Sequence, residues 1–599
     1  MIVLDKENRV FTLHTQNTTY QMKADENSVL LHTYYGPRVG GGDLSRLIQY
    51  ADRGFCPNPN QVGRRRDYSL DTLPQEYSTC GVGDFRLSSA QVEQPDGSRL
   101  LDLRYVSHEV RPGKYALEGL PAFHGEGGET LSVLLRDPSS SVEAELLYGV
   151  FEEYDLITRA VRIRNRGERP VRLAQAASLC LDLPPAGMDF ITFDGGHARE
   201  RGMHRAALRP GVQSVGSTRG TSSHQHNPFV MLCGRDAGED HGLCYGAALL
   251  YSGGFLAEAE LSQFGDIRLV LGLQPQGFSW LLGPGEAFTT PEAAMICSPN
   301  GFTPMTHRFH RAIRERLLRS PRGGLQRPVL INNWEATYFD FTAEKLLEIA
   351  EASAPLGIQL LVMDDGWFGR RNDDFGGLGD WNVNRGKLPG GLEALVPRVR
   401  GLGMRFGLWV EPEMVSEDSA LYREHPDWAL RAPGRPGARG RSQFVLDLSR
   451  AEVRDHLFAA LRSVLDSAEI AYVKWDMNRS FTDMWSAALP PDRQGEVPHR
   501  YILGLYELLE RLRRAYPALL IEGCSGGGGR FDLGMLYYTP QIWCSDNSDA
   551  IDRLRIQYGT SFCYPSACVG AHVSASPNEQ NGRVTPLETR GVVAMSGTF

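Results

Sequence analysis

The sequence predicts an all-β sandwich followed by a (β/α)8 barrel, and three observations carry that prediction. The chain has 599 residues, more than one hydrophobic core supports, so two or more domains are expected and one can be as large as a barrel. From Ile2 to about Pro304 it consists of short β-branched and aromatic runs divided by turns rich in Gly, Pro, Asp and Asn, which is how antiparallel sheets read. Beyond that, buried-strand runs alternate with stretches at helical spacing, the pattern of a parallel-stranded barrel.

Taken in order, residues 1–305 form the sandwich, with Ser28–Tyr35 (SVLLHTYY) and Leu156–Arg164 (LITRAVRIR) as typical strands. In the second run Ile157, Ala160, Val161 and Ile163 alternate only loosely with polar neighbours, which suits a large sandwich with one wetter face. Helical spacing appears in His307–Leu318, and the breaker Ser320–Gly324 (SPRGG) follows, so 306–327 read as a helical linker. Residues 328–599 carry eight strand candidates. Six begin at Val329, Leu360, Phe406, Ala471, Leu519 and Gln541, and two weaker ones lie near Ala567 and Val592. Between them Ala343–Ala352, Leu392–Arg400, Ala451–Leu465 and Tyr501–Tyr516 read as helices, the last with Leu505, Leu508, Leu509 and Leu512 on one face. The sequence stops at Phe599, just after the eighth run, so the barrel is expected to be incomplete beyond its eighth strand.

Composition narrows the function. Lys and Arg total 63 against 72 Asp and Glu, a net charge of −9, and the only dense basic run is Arg64–Arg66, so neither nucleic acid nor an anionic membrane is the expected partner. No uncharged apolar run reaches the roughly 18 residues that span a bilayer, and the start lacks a basic segment followed by an apolar one, which makes the cytoplasm the default location. Ten cysteines without close pairing read as reduced thiols, neither a disulfide framework nor a zinc site.

Most of the barrel runs end in Trp, Asp, Glu or Cys, where barrel enzymes collect their reacting groups. Lys474 and Asp476, two apart on one strand, share a face, and the cation is expected to keep the carboxylate ionised, as a glycosidase nucleophile must be. Asp546, ending the sixth run beside Trp543 and Cys544, is the candidate partner that must hold a proton and so needs a raised pKa. Such carboxyls can face each other across a sugar, and a separation of about 5 to 5.5 Å gives retention through a covalent intermediate. Trp334, Asp364, Asp365, Trp409, Glu411, Glu413, Arg441 and the turn Cys524–Arg530 line the same rim. There Trp can stack on a pyranose, Asp can accept from hydroxyls, and Arg and Lys can donate to them. Each also has a plainer reading: a strand-end Asp as a cap, a Trp as packing, Cys524 as a small buried hydrophobe. Adjacent Asp364 and Asp365 could take Mg²⁺, but no HxH or HExxH accompanies them and no metal or cofactor is expected. The glycine run lacks the Gly-Lys-Ser/Thr of a phosphate loop.

At these residues the sequence resembles the bacterial α-galactosidases of glycoside hydrolase family 36. The motifs are FCPNP at Phe55, DTLPQEY at Asp71, MDDGWF at Met363, LWVEPEM at Leu408, KWDMNR at Lys474 and SDNSDAI at Ser545. The resemblance implies an antiparallel β-supersandwich before the barrel, Asp476 as nucleophile and Asp546 as acid/base. It also implies galactose contacts from Trp334, Asp364, Asp365, Trp409, Arg441, Lys474, Asn478, Cys524 and Gly527. The implied reaction is release of terminal α-1,6-linked galactose from melibiose, raffinose and related oligosaccharides, in a homotetramer where a loop around Asp52 and Phe55 reaches a neighbour's site. α-N-Acetylgalactosaminidase or galactosyl-transfer activity on the same fold, and a non-catalytic galactoside-binding protein, are the alternatives. Three departures stand out. His197 takes the place of a Trp near the sugar, Glu579 stands where the family usually has His, and the family continues into a C-terminal β-domain that the sequence lacks.

Overall fold

Strands of the first half are β-branched and apolar because other layers cover their sheets. In the computed structural model, which describes residues 1–319 and 327–598, Val142–Phe151 and Leu156–Asn165 pair antiparallel over their full length, Val142 opposite Asn165 and Phe151 opposite Leu156. They belong to a ten-stranded antiparallel sheet. A six-stranded sheet around Val171–Leu183 and a four-stranded sheet running from Ile2–Asp5 to Leu30–Pro37 share one core with it. Leu156–Asn165 is less wet than its loose alternation suggested. Leu156 to Val161 are all buried, and Arg159 spends its guanidinium on the carbonyls of Cys180 and Glu76, which satisfies a charge inside the sandwich.

The helix expected near residue 307 starts earlier, at Phe302, and runs to Arg316; its buried Phe302, Met305, Phe309, Ala312 and Ile313 pack it onto the sandwich. The breaker Ser320–Gly324 and Phe599 lie outside the described residues.

The second half is a curled sheet of parallel strands. Seven follow one another in chain order: Leu330–Asn332, Leu360–Met363, Arg405–Val410, Tyr472–Trp475, Leu520–Gly523, Gln541–Trp543 and Val569–Gly570. The expected helices are Ala343–Ser353, Leu392–Gly401, Ala451–Ser467 and Val497–Ala515. The eighth strand is not where the apolar run near Val592 put it. That run lies in a helix, Leu587–Ala594, with Val593 and Ala594 buried and Val592 64% exposed. A central barrel strand would bury both faces, so the lopsided burial accords with the helix. The eighth position is instead marked by Thr598, bridged in parallel to Gly570.

The sandwich also reaches over the barrel. Between its strands Met188–Asp194 and Gly202–Ala207, the loop 195–201 turns so tightly that a Cβ at Gly195 would lie 2.0 Å from the Arg199 carbonyl oxygen. Its Arg201 donates to the carbonyls of Gly528 and Cys544, and Asn227 donates to that of Phe531 at 2.8 Å.

Candidate active site

Parallel strands point their carboxyl ends the same way, so side chains at those ends converge. They line a cavity of about 780 Å³. Of the expected site residues, Asp476, Asp546, His197, Trp334, Asp364, Asp365, Trp409, Arg441, Lys474, Asn478 and Cys524 line it. Gly527 lies just behind the wall, where a Cβ would fall 2.5 Å from the backbone nitrogen of Asp546. Asp52 is not brought to this cavity; it pairs with Arg66 at 3.3 Å, on the segment where Phe55 is fully exposed.

Asp476 follows the fourth barrel strand and accepts four N–H bonds. Oδ1 takes the amides of Met477 (2.8 Å) and Gly526 (3.1 Å). Oδ2 takes Nδ2 of Asn478 (2.7 Å) and Nε1 of Trp409 (3.1 Å). Two N–H donors on each oxygen fix the carboxylate in place. The expected partner is different: Nζ of Lys474 bonds Oδ2 of Asp364 at 2.9 Å. The strand of Asp364 lies two places away in the sheet, and the long lysine side chain reaches across to it. Burial works against the ammonium charge, but Asp364, with Cys524 and Asp476 close by, holds Lys474 well above its usual range. Trp409 is buried and stacked on Phe368 with its N–H given to Asp476, so it orients the carboxylate as well as lining the cavity.

Beneath Asp476 lies Glu411, fully buried. Its carboxyl accepts from Nε2 of Gln443 (2.8 Å) and from the amide and Nδ2 of Asn478 (2.5 and 3.1 Å). Burial, then the charge of Asp476, push it up to about 7. Asp365 is pushed up to about 6 by burial, against the opposing pull of Arg371, which donates Nε and Nη2 to it. Glu413, Trp475 and Tyr501 form a second buried group with Arg530, whose guanidinium meets Glu413 at 2.7 and 3.1 Å and ties down the far end of the glycine turn.

Asp546 sits at the mouth, with its side chain 34% exposed. Oδ1 accepts from Nε1 of Trp543 at 3.1 Å, and Oδ2 lies 2.9 Å from Nε2 of His197. Burial raises this carboxyl, but the His197 hydrogen bond and the charges of His197, Lys474 and His224 outweigh it and hold it below its ordinary value. The raised pKa expected beside Trp543 is therefore not found there: the indole supplies a donor to the anion, and the carboxyls pushed upward are the buried Glu411 and Asp365. His197, in place of the expected aromatic wall, faces the ring of His224 edge-on at 5.4 Å. Glu579 lines the cavity and accepts from the Tyr338 hydroxyl.

Sequence reading missed three participants. Arg371 sits in a polar loop that reads as surface, although the adjacent pair Asp364 and Asp365 called for a buried cation. His224 comes from the sandwich, far away in sequence. Gln580 donates to the carbonyl of Asp546 from a loop with no periodic pattern. Among the described residues no group of three or more His, Cys, Asp or Glu is arranged to hold a metal, and no helix is long and apolar enough to cross a membrane. All ten cysteines are free.

Residues 28–283 match the family model described as the glycosyl hydrolase family 36 N-terminal domain, and residues 287–599 match the one described as melibiase. The chain is 51% identical to a bifunctional α-galactosidase/sucrose kinase of Mediterraneibacter gnavus and spans 63% of that protein's length. It is 49% identical to an α-galactosidase of Geobacillus stearothermophilus and 47% identical to one of Lactobacillus acidophilus, spanning 82% of each. A crystal structure of the Geobacillus enzyme with raffinose, in which one aspartate is replaced by asparagine, superposes with a TM-score of 0.96 over 98% of this chain and 82% of that one.

Proposed function

The chain belongs to glycoside hydrolase family 36, and we propose that it hydrolyses terminal α-linked galactose from galactosides of the raffinose type, with net retention. Relatives named α-galactosidases support the substrate class, and variants of one of them, the Geobacillus enzyme, were crystallised with raffinose and with stachyose. The observation that carries the mechanism is the unequal setting of two aspartates on one cavity. Asp476 is fixed by four N–H donors and aimed from a strand end, as a nucleophile should be. Asp546 is at the mouth, within reach of solvent and of a leaving group.

In this reading Asp476 attacks the anomeric carbon while the Asp546 side delivers a proton to the departing oxygen. Water, deprotonated by Asp546, then releases galactose from Asp476. Asp364, Asp365, Lys474 and Arg441 are the polar contacts for the sugar hydroxyls, and Trp334 is an apolar wall. NMR of the first-formed product from an aryl α-galactoside tests the reading: α-galactose is expected, and initial β-galactose would exclude retention.

The same proposal includes a homotetramer, with the cytoplasm kept as the default location. What supports the homotetramer is the segment carrying Asp52 and Phe55, which does not line its own cavity and has a fully exposed Phe55 side chain. Sedimentation of the purified chain, with and without Phe55→Ser, tests that part.

A further inference from the structure

The acid/base role proposed for Asp546 leaves a difficulty, because an isolated carboxyl at the cavity mouth loses its proton well below neutral pH. Its immediate partners are few. Nε1–H of Trp543 on Oδ1 cannot be given up, whereas the contact between Oδ2 and Nε2 of His197 at 2.9 Å can hold a proton on either side. The remaining charged groups nearby are engaged elsewhere. Lys474 is bonded to Asp364 and Arg441 to Asp374. Arg553 donates to the carbonyls of Ser545 and Asn547, and Glu200 accepts from the Ser545 hydroxyl. His224 is bonded through Nε2 to the carbonyl of Gly526 at 2.6 Å, so that nitrogen carries a hydrogen, and its ring packs on that of His197. The Cys524 thiol, buried and held well above its usual range by burial first, stays protonated.

We propose that His197 and Asp546 work as one proton-holding pair, with His197 a positioning residue that keeps the working proton within the pair, between its Nε2 and Oδ2 of Asp546, at pH values where a lone carboxyl has lost it. One proton is shared between Nε2 and Oδ2. As the glycosidic C–O bond breaks, that proton goes to the leaving oxygen, and the pair becomes neutral imidazole plus carboxylate. As water oxygen bonds to the anomeric carbon and frees Asp476, the pair takes a proton back from that water, so protons balance over the cycle. The tuning of the two partners is opposite, Asp546 lowered and His197 raised, so the shared proton rests toward Nε2. The Asp546 hydrogen bond raises His197 despite its partial burial, with Glu200 helping and Arg441 opposing. His197 remains 60% exposed, so the pair can exchange protons with solvent.

Two measurements on the whole chain decide the matter. Histidine-labelled NMR, with the His197 signal identified by its loss in His197→Gln, is expected to give a midpoint above the ordinary value of about 6.5 that falls by about one pH unit or more in Asp546→Asn. A midpoint indifferent to Asp546 overturns the pairing, and this readout needs no turnover, so it stands apart from the α-galactosidase assignment. In kcat/KM on an α-galactoside with a poor leaving group, the alkaline limb is expected to coincide with the His197 midpoint and to move at least about one unit toward acid in His197→Gln. A limb that stays put or moves toward alkali overturns the proposal, since His197 would then only depress Asp546. If the glutamine variant does not fold, His197→Phe is read by the same limb.

Discussion

The backbone N–H of Gly526 donates to Oδ1 of Asp476 at 3.1 Å, so the glycine turn after the fifth barrel strand holds the proposed nucleophile directly. The next residue, Gly527, presses on the other aspartate. One turn therefore sets the position of both, and its two glycines have φ of 49° and 80°, where a side chain is strained. The ion pair between Arg530 and Glu413 anchors the end of the turn.

Gly527→Ala is accordingly expected to displace the Ser545–Asp546 backbone. Strain of about 1–3 kcal/mol should lower Tm, and misplacement of Asp546 should lower kcat by roughly ten- to a hundred-fold. Thermal melting together with steady-state kinetics checks this; wild-type kcat in a stable variant would mean that the turn does not set the carboxyl.

Asp476→Ala removes the group that four donors hold. Turnover of an aryl α-galactoside should fall by at least about a thousand-fold. Azide, entering the vacated space and attacking from the nucleophile's side, should restore part of the rate and give β-galactosyl azide. Undiminished turnover without azide would take Asp476 out of the reaction.

The residues found at barrel strand ends were legible because the fold forces convergence there: once the strand runs at Leu360, Phe406, Ala471 and Gln541 are read, Asp364, Trp409, Asp476 and Asp546 must meet. What could not be read is which of them bond. Periodicity places Lys474 beside Asp476, but the choice of Asp364 depends on the packing of neighbouring strands. Similarly, Asp546 beside an indole suggested a dry, proton-retaining carboxyl, whereas His197 arrives from the sandwich, 349 positions away in sequence, and reverses the local charge balance. The eighth strand failed for a local reason, since four apolar residues at Val592 fit a short helix as well as a strand.

The Lys474–Asp364 pair is expected to matter for stability as well as binding. Its side chains are only 13% and 5% exposed, so Lys474→Met would strand a buried carboxylate with Asn332 as its remaining side-chain donor. The loss should be about 3–5 kcal/mol, partly recovered in Lys474→Met/Asp364→Asn. Denaturation of the single and double variants checks it, and a single variant as stable as wild type would contradict the pairing.

Glu411 predicts a pH dependence with a definite sign. Burial and the charge of Asp476 push its carboxyl up to about 7, above the roughly 4.3 of an unfolded glutamate. Between those values the folded chain binds the proton and the unfolded chain does not, so this group's stabilising contribution is present at low pH and is lost as pH rises toward 7. The span corresponds to a loss on the order of 4 kcal/mol. Glu411→Gln cannot titrate, yet its amide oxygen can still accept from Asn478, so the variant should lose less stability than wild type on going from pH 5 to pH 7. Asp365 and Asp532, each pushed up to about 6 chiefly by burial, contribute in the same direction in both proteins and cancel in the difference. Denaturant midpoints of the two proteins at both pH values measure that difference, and equal losses would place the proton elsewhere than Glu411.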